Sequence, residues 1–402
     1  MAEEEKFFLA CLRHFLKGKA DTSEGILSYL GKGIDWPLVL SWSQWHGVTP
    51  VIYHILKEID WTGVPEMIRK GLERSFRINM ARNLFLSAEI DRVFAALGER
   101  GIISIPIKGI FLSEEVYPDI SFRMITDIDI LIRKDDLRRA EEILTQMGYE
   151  RDQPLKDAFF PDNCYTLHME KGEKNGQKLC VELHWGLANR RDYTLPVESW
   201  WEREIFRVAQ NRHLKGGMHC LTMGPEITLL YLTINAHMSR YAFLKQLVDI
   251  GQVIRYYEND IHWERVTRIA SELGLLDNFI FALSLVHSMF DVPIAKELAY
   301  QSASWKHRVF QSLFTEQRLV RGKMGQDLRQ LLLLFLLNEK AIVKSACKVI
   351  FSSRETIAYR YGLSPQSYRT NLYVLLNPLF ALYRLLRGCV VDCWAGKGIG
   401  EG

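Results

Sequence analysis

Thr126-Asp-Ile-Asp-Ile-Leu-Ile-Arg133 alternates carboxylates with branched apolar residues, and the fold is read outward from it. In a strand, successive side chains leave opposite faces, so Asp127 and Asp129 share one face while Ile128 and Ile130 enter a core. Two like charges held side by side repel and need compensation, which a divalent cation supplies. Alone, such a pair is weak evidence for a metal site, because surface strands often carry one. The surroundings decide.

Upstream, Ile102–Ile107 is a short apolar run, long enough for a buried strand and too short for a helix. Lys108-Gly109 follows as a turn, and Ile110–Val116 reads as a short helix ended before Pro118. The start of that helix would offer backbone N–H groups to phosphate, with Lys108 beside it as a point charge. Taken alone, Lys108-Gly109 is an ordinary strand-to-helix turn. Downstream, Asp135 or Asp136 is placed to cap a helix whose apolar face is Leu137, Ala140, Leu144 and Met147, with Gly148 just past its end.

A hairpin comes next. Tyr165, Leu167 and Met169 alternate with Thr166, His168 and Glu170; Leu179, Val181, Leu183 and Trp185 alternate with Cys180, Glu182 and His184. Asn175-Gly176 suggests a two-residue turn, but that turn would set Glu182 opposite Met169 and mix the faces. The alternation instead requires an odd-numbered loop, with His184 opposite His168 or Thr166. Glu182 then becomes a third carboxylate. The competing reading is a solvated hairpin face, against which Trp185 and the apolar neighbours argue for a strand inside a sheet.

The flanks are helical. From Arg82 to Leu97, the residues Leu86, Ile90, Val93, Phe94 and Leu97 fall on one helical face. Helical pattern resumes at Pro225 and runs to about Arg387, and the tail Gly388–Gly402 shows no periodicity. The expected division is a helical region over 1–97, a core over 98–224 and a second helical region over 225–402. With 402 residues, 48% hydrophobic and 25% charged, the chain can bury a substantial core. A net charge of +3 argues against wholesale nucleic-acid binding, though a local basic groove stays open. Seven dispersed cysteines match no zinc spacing and fit a reducing compartment. The acidic start Met1-Ala-Glu-Glu-Glu-Lys6 is unlike a signal peptide, and the apolar runs fall short of the roughly 20 residues that span a bilayer. The expected location is cytoplasmic.

The order Ile107-Lys-Gly109, Arg123, Thr126–Ile132 and Glu182-Leu-His-Trp185 resembles the uncharacterised bacterial nucleotidyltransferase-like family of the DNA polymerase beta superfamily. So do the stretch from Trp36 to Pro50, ending His46-Gly-Val-Thr-Pro50, the helix carrying Asn83, Leu86, Glu89 and Ile90, and the downstream His237 and Leu247-Val-Asp-Ile250. The resemblance implies an α+β fold with a small mixed-sheet core flanked by helical regions. It assigns Asp127 and Asp129 to metal, Mg²⁺ or Mn²⁺, and Glu182 to metal and to activating the attacking hydroxyl. Gly109 takes the place of a glycine that opens the phosphate-binding helix. The serine that follows it in the superfamily is Ile110 here, so Lys108 or Arg123 is the expected electrostatic replacement, and Lys108, Gly109 and Arg123 are the candidates for holding the nucleotide.

What this implies is transfer of a nucleoside monophosphate from an NTP to an acceptor hydroxyl on a small molecule, a protein or an RNA, with RNA least favoured by the charge. His184, His237 and Asp249 are candidates for the acceptor side of the cleft. For His237 and Asp249, a buried helix-to-helix hydrogen bond is the competing and favoured reading. The rival from another class is a non-catalytic module, a degenerate core that binds nucleotide or a partner protein. The missing serine feeds that rival, and three retained carboxylates oppose it.

Overall fold

A computed structural model describes residues 1–18, 24–30, 33–151, 165–172, 178–187, 205, 210–213, 219–296, 298, 305–322 and 350–395. The chain is α+β. Five helices come first: α1 (Glu3–Lys17), α2 (Glu24–Leu30), α3 (Trp36–Trp45), α4 (Thr49–Glu58) and the long α5 (Glu66–Glu99). Buried residues of α5, among them Leu72, Asn79, Asn83, Leu86, Ile90, Val93 and Leu97, recur at spacings of three, four and seven, so one stripe of the helix faces the rest of the molecule.

The sheet elements follow as β1 (Ile105–Pro106), α6 (Ile110–Glu115), β2 (Ile128–Leu131), α7 (Leu137–Gln146), β3 (Glu150–Arg151), β4 (Thr166–Gly172) and β5 (Lys178–His184). Their spatial order is β1-β2-β5-β4-β3. Only the β2–β5 pair is parallel; β1–β2, β3–β4 and β4–β5 are antiparallel. A separate two-stranded ribbon joins β6 (Gln210–His213) to β7 (His219–Thr222).

The hairpin register pairs Thr166 with His184 and Gly172 with Lys178, so an odd number of residues, 173–177, separates the paired ends. Pattern outranks the Asn-Gly dipeptide here because a one-residue slip would drive Leu167, Met169, Leu179, Val181 and Leu183, all buried, out to solvent.

Three expectations are corrected. The strand read over Ile102–Ile107 is only Ile105–Pro106; Pro106 adds no N–H to the ladder, and the Ile107 N–H makes one further bond to the Asp129 carbonyl at 3.3 Å. Asp136 occupies the N-cap position of α7 but makes no cap bond; its carboxylate accepts from Arg139 at 2.9 Å, and a short 3₁₀ turn over Lys134–Asp136 leads into the helix. The C-terminal helix does not stop near Arg387 but continues through Gly388 to Ala395.

The second helical region comprises α8 (Pro225–Met238), α9 (Leu244–Tyr256), α10 (Trp263–Glu272), α11 (Leu276–Phe290), α12 (Trp305–Leu313), α13 (Glu316–Arg321), α14 (Arg354–Arg360) and α15 (Tyr368–Ala395). Helix α1 packs on α4 and also on α9 and α11, so the first and last thirds of the chain share one apolar core with the sheet. Arg13 pairs with Glu316 at 2.7 Å, and Arg321 pairs with the buried Glu5, across the same junction. No described helix is long and apolar enough to cross a membrane.

Candidate active site

The pairing of β2 with β5 puts Asp129 beside Glu182, and Ile128 and Ile130 beside Val181 and Leu183. Adjacent residues in a ladder leave the same face, so one face carries the two carboxylates and the other is apolar. His184, two residues past Glu182, returns to the polar face. Its Nε2 lies 3.1 Å from Asp129 Oδ1 and 3.2 Å from Glu182 Oε2. Asp127 sits one residue before β2, half-buried, and lines the same cleft as Asp129. Donor atoms of Asp129, Glu182 and His184 all lie within 4.8 Å of one another.

Charge on this face is balanced locally. Lys108 Nζ approaches Asp129 Oδ1 at 2.9 Å. Burial is the largest single influence on Lys108 and would lower its pKa, but Asp129, Tyr231, Asp127 and Glu182 together outweigh it and hold the ammonium well above its usual range. His184 is likewise opposed by burial and raised on balance by its bonds to Asp129 and Glu182. Glu182 is lowered because His184 and Lys108 outweigh its burial. Cys180, on the same face, is pushed up to about 12 by burial and then by Glu182 and the other carboxylates. Asp129 Oδ2 remains buried with no hydrogen-bond partner among the described residues.

Gly109 is the N-cap of α6, with φ of 60° and ψ of −123°. A Cβ there would stand 3.3 Å from the Asp127 carbonyl oxygen and 3.8 Å from Asp129 Oδ2. Glycine therefore serves two needs at once, a positive φ and a close pass beneath the aspartates. The six residues of α6 are all buried, which explains why so short a helix forms at all.

The approach to β2 is held by α5. Asn79 donates to the carbonyls of Ser121 and Arg123, Asn83 to those of Ile120 and Arg123, and Arg82 to those of Ile125 and Thr126. Three side chains within about one turn of α5 thus satisfy an irregular, largely buried segment and set where Asp127 enters the cleft. The helical motif around Asn83 has this as its local purpose.

Arg123 is a correction. It borders the cleft, but its guanidinium makes a buried two-pronged pair with Asp249, Nε to Oδ1 and Nη2 to Oδ2, each at 2.9 Å. Tyr117 donates to the same Oδ1 at 2.7 Å. Two of its nitrogens, Nε and Nη2, are thereby committed to Asp249, which leaves the guanidinium less able to stand in for the missing serine. Asp249 is corrected with it, since both its oxygens are committed and it ties α9 to the approach of β2. His237 is also removed from the cleft: it is buried in α8 against Tyr241, and burial takes its pKa down to about 4, partly offset by a hydrogen bond with Asn278.

A cation the sequence reading omitted stands in its place. The cleft, about 330 Å³, is lined by Lys108, Gly109, Asp127 and Asp129 on one side and by Trp45, Phe243 and Lys245 on the other. Lys245 opens α9, four residues before Asp249, so both side chains leave one helical face. Its N–H donates to the His46 carbonyl at 3.2 Å, and a Cβ on Gly47 would meet its Cδ at 2.7 Å. His46 itself bridges the Leu244 N–H and the Val320 carbonyl. The His46-Gly47 pair is thus the signal for Lys245: the histidine anchors the helix start, and the glycine leaves room for the lysine stem. Burial, and then the nearby Arg123, push the Lys245 pKa below its usual value, and no described carboxylate pairs with it. Trp45 is 55% exposed and tilts against Phe243 with ring centroids 5.6 Å apart.

A family model described as an uncharacterised nucleotidyltransferase matches residues 32–291, from the approach to α3 through the end of α11. No curated protein matches the chain.

Proposed function

The chain belongs to that family of uncharacterised nucleotidyltransferases, and we propose that it transfers a nucleoside monophosphate from an NTP to an acceptor hydroxyl in a metal-dependent reaction at Asp127, Asp129 and Glu182. The observation that carries this reading is the β2–β5 register, which sets Glu182 beside Asp129, and Asp129 in turn lines a cleft together with Asp127 and Gly109. The donor set suits a divalent cation: carboxylate oxygens of Asp129 and Glu182 converge, Asp127 lines the same cleft as Asp129, and Asp129 Oδ2 is buried with no hydrogen-bond partner among the described residues. Asp127, Asp129 and Glu182 would hold Mg²⁺ or Mn²⁺, which supplies charge neutralisation on the phosphates and a lowered pKa at the acceptor hydroxyl.

The remaining work falls to side chains. In the reaction the acceptor oxygen bonds to the α-phosphorus, the bond to the bridging oxygen breaks, and pyrophosphate leaves. The six-residue α6 offers little dipole, so cationic help for the phosphates comes from Lys108 and Lys245. Gly109 lets the phosphates approach the backbone beneath the aspartates. Glu182 takes up the acceptor proton, and His184, hydrogen-bonded to both Glu182 and Asp129, fixes its direction. Trp45, exposed at the far wall, offers a flat surface for the base.

One observation favours a second reading. Lys108 already supplies Asp129 with a counter-charge, as a non-catalytic nucleotide- or partner-binding module would need. The two readings separate when the purified protein is incubated with Mg²⁺ and each α-phosphate-labelled NTP, with and without cell extract. Label joined to an acceptor with release of pyrophosphate supports transfer. Nucleotide binding with no incorporation under any condition supports the module.

A further inference from the structure

The hairpin face holds a second donor set whose chemistry differs from that of the aspartates. His168 on β4 stands directly opposite Glu182 on β5, with its Nδ1 3.2 Å from Glu182 Oε1. Cys180, two residues before Glu182, leaves the same face. One donor atom from each of the three lies within 4.8 Å of the other two. Glu182 Oε2 faces the other way, toward His184 at 3.2 Å, so its two oxygens serve different neighbours.

A nitrogen, a sulfur and a single carboxylate oxygen are a poor set for Mg²⁺, which prefers oxygen in octahedral array. They are a good set for a tetrahedral, thiophilic cation, with water as fourth ligand. His168 is exposed and Cys180 half-buried, so the site has a solvent side from which an ion and that water can enter. Asp127, Asp129 and Glu170 surround Cys180 with negative charge, which draws in a dication. We propose that His168, Cys180 and Glu182 Oε1 form a binding site for a thiophilic divalent cation of the Zn²⁺ class. On binding, the hydrated ion exchanges water for the three donors, and the Cys180 thiol proton passes to solvent as the metal–sulfur bond forms. The site stands on geometry alone. One consequence rests on the nucleotidyltransferase reading: an ion here engages Glu182 and suppresses transfer.

Cobalt(II) titration of the full-length protein, kept reduced with a non-thiol reductant, reports this site without any assay of activity. The expected result is a thiolate-to-cobalt charge-transfer band with intense tetrahedral d–d absorption, displaced by Zn²⁺. The band persists in a Cys389→Ser/Cys393→Ser variant, disappears in Cys180→Ser, and forms with at least about ten-fold weaker affinity in His168→Gln. His168 is exposed, so His168→Gln tests the site even where Cys180→Ser perturbs folding. No thiolate band in the wild type, or a band of full affinity in both Cys180→Ser and His168→Gln, overturns the proposal. Loss of the zinc effect on transfer with the cobalt band intact overturns only the link to Glu182's role.

Discussion

At the scale of single residues, what was legible in the sequence was chemistry carried by local pattern. Alternation around Asp127 and Asp129, and around Glu182 and His184, told which side chains share a face, because strand periodicity is a property of the backbone. What was not legible was which charge answers which. Arg123 and Lys245 are both cations beside the cleft, and only the packing of α9 reveals that Asp249 takes the first and leaves the second. Lys245 is therefore expected to contribute to nucleotide affinity at some cost in stability. Lys245→Met should weaken Mg²⁺–NTP binding about 10- to 100-fold, the loss of one charged contact of roughly 1.5–3 kcal/mol. It should leave the melting temperature unchanged or higher, because a half-buried ammonium without a described carboxylate is replaced by an apolar side chain. Calorimetry and a thermal melt check both, and unchanged affinity would remove Lys245 from the site.

At the scale of elements, the long stripe on α5 and the hairpin register were readable because each rests on many residues that must agree. The short helix α6 was read nearly to its ends because Pro118 bounds it, although burial is what holds so few residues helical. The extent of β1 and the far end of α15, helical despite Gly388, were not readable, because tertiary context decides both. Two elements are joined by the Arg123–Asp249 pair, which locks α9 to the segment delivering Asp127. Breaking one side strands a buried charge, so Asp249→Asn should cost about 3–5 kcal/mol in urea unfolding. Arg123→Met combined with Asp249→Leu should cost much less. If Asp249→Asn alone proves near neutral, the pair does not carry this junction. His237 on α8 gives the helical region an acid limit. Its folded pKa of about 4 lies below the ordinary 6.5, so as pH falls the unfolded chain takes the proton first. The contribution is fully present above about pH 6.5 and is lost as pH falls towards 4; it amounts to about 3 kcal/mol at most. Chemical denaturation between those values should show the slope in the wild type and a flatter profile in His237→Gln.

For the whole molecule, helices from both ends of the chain meet over the sheet, and the cleft lies where they meet. One wall comes from the strand and turn carrying Lys108, Gly109, Asp127 and Asp129; the other comes from α3 and α9 through Trp45 and Lys245. That arrangement explains why the decisive stretch of sequence announced half of the site and not the other half. The account's central claim is that the paired aspartates hold the metal through which nucleotide binds, while Glu182 acts on the acceptor side. Asp127→Asn is the cleanest probe, because Asp129 also balances Lys108 and His184, so its replacement disturbs more than a metal ligand. The deciding measurement is calorimetric titration of NTP with and without Mg²⁺ into wild type, Asp127→Asn and Glu182→Gln. The prediction is Mg²⁺-dependent binding in the wild type, its loss in Asp127→Asn and its retention in Glu182→Gln. Mg²⁺-dependent affinity that survives in Asp127→Asn at the wild-type level would contradict the account.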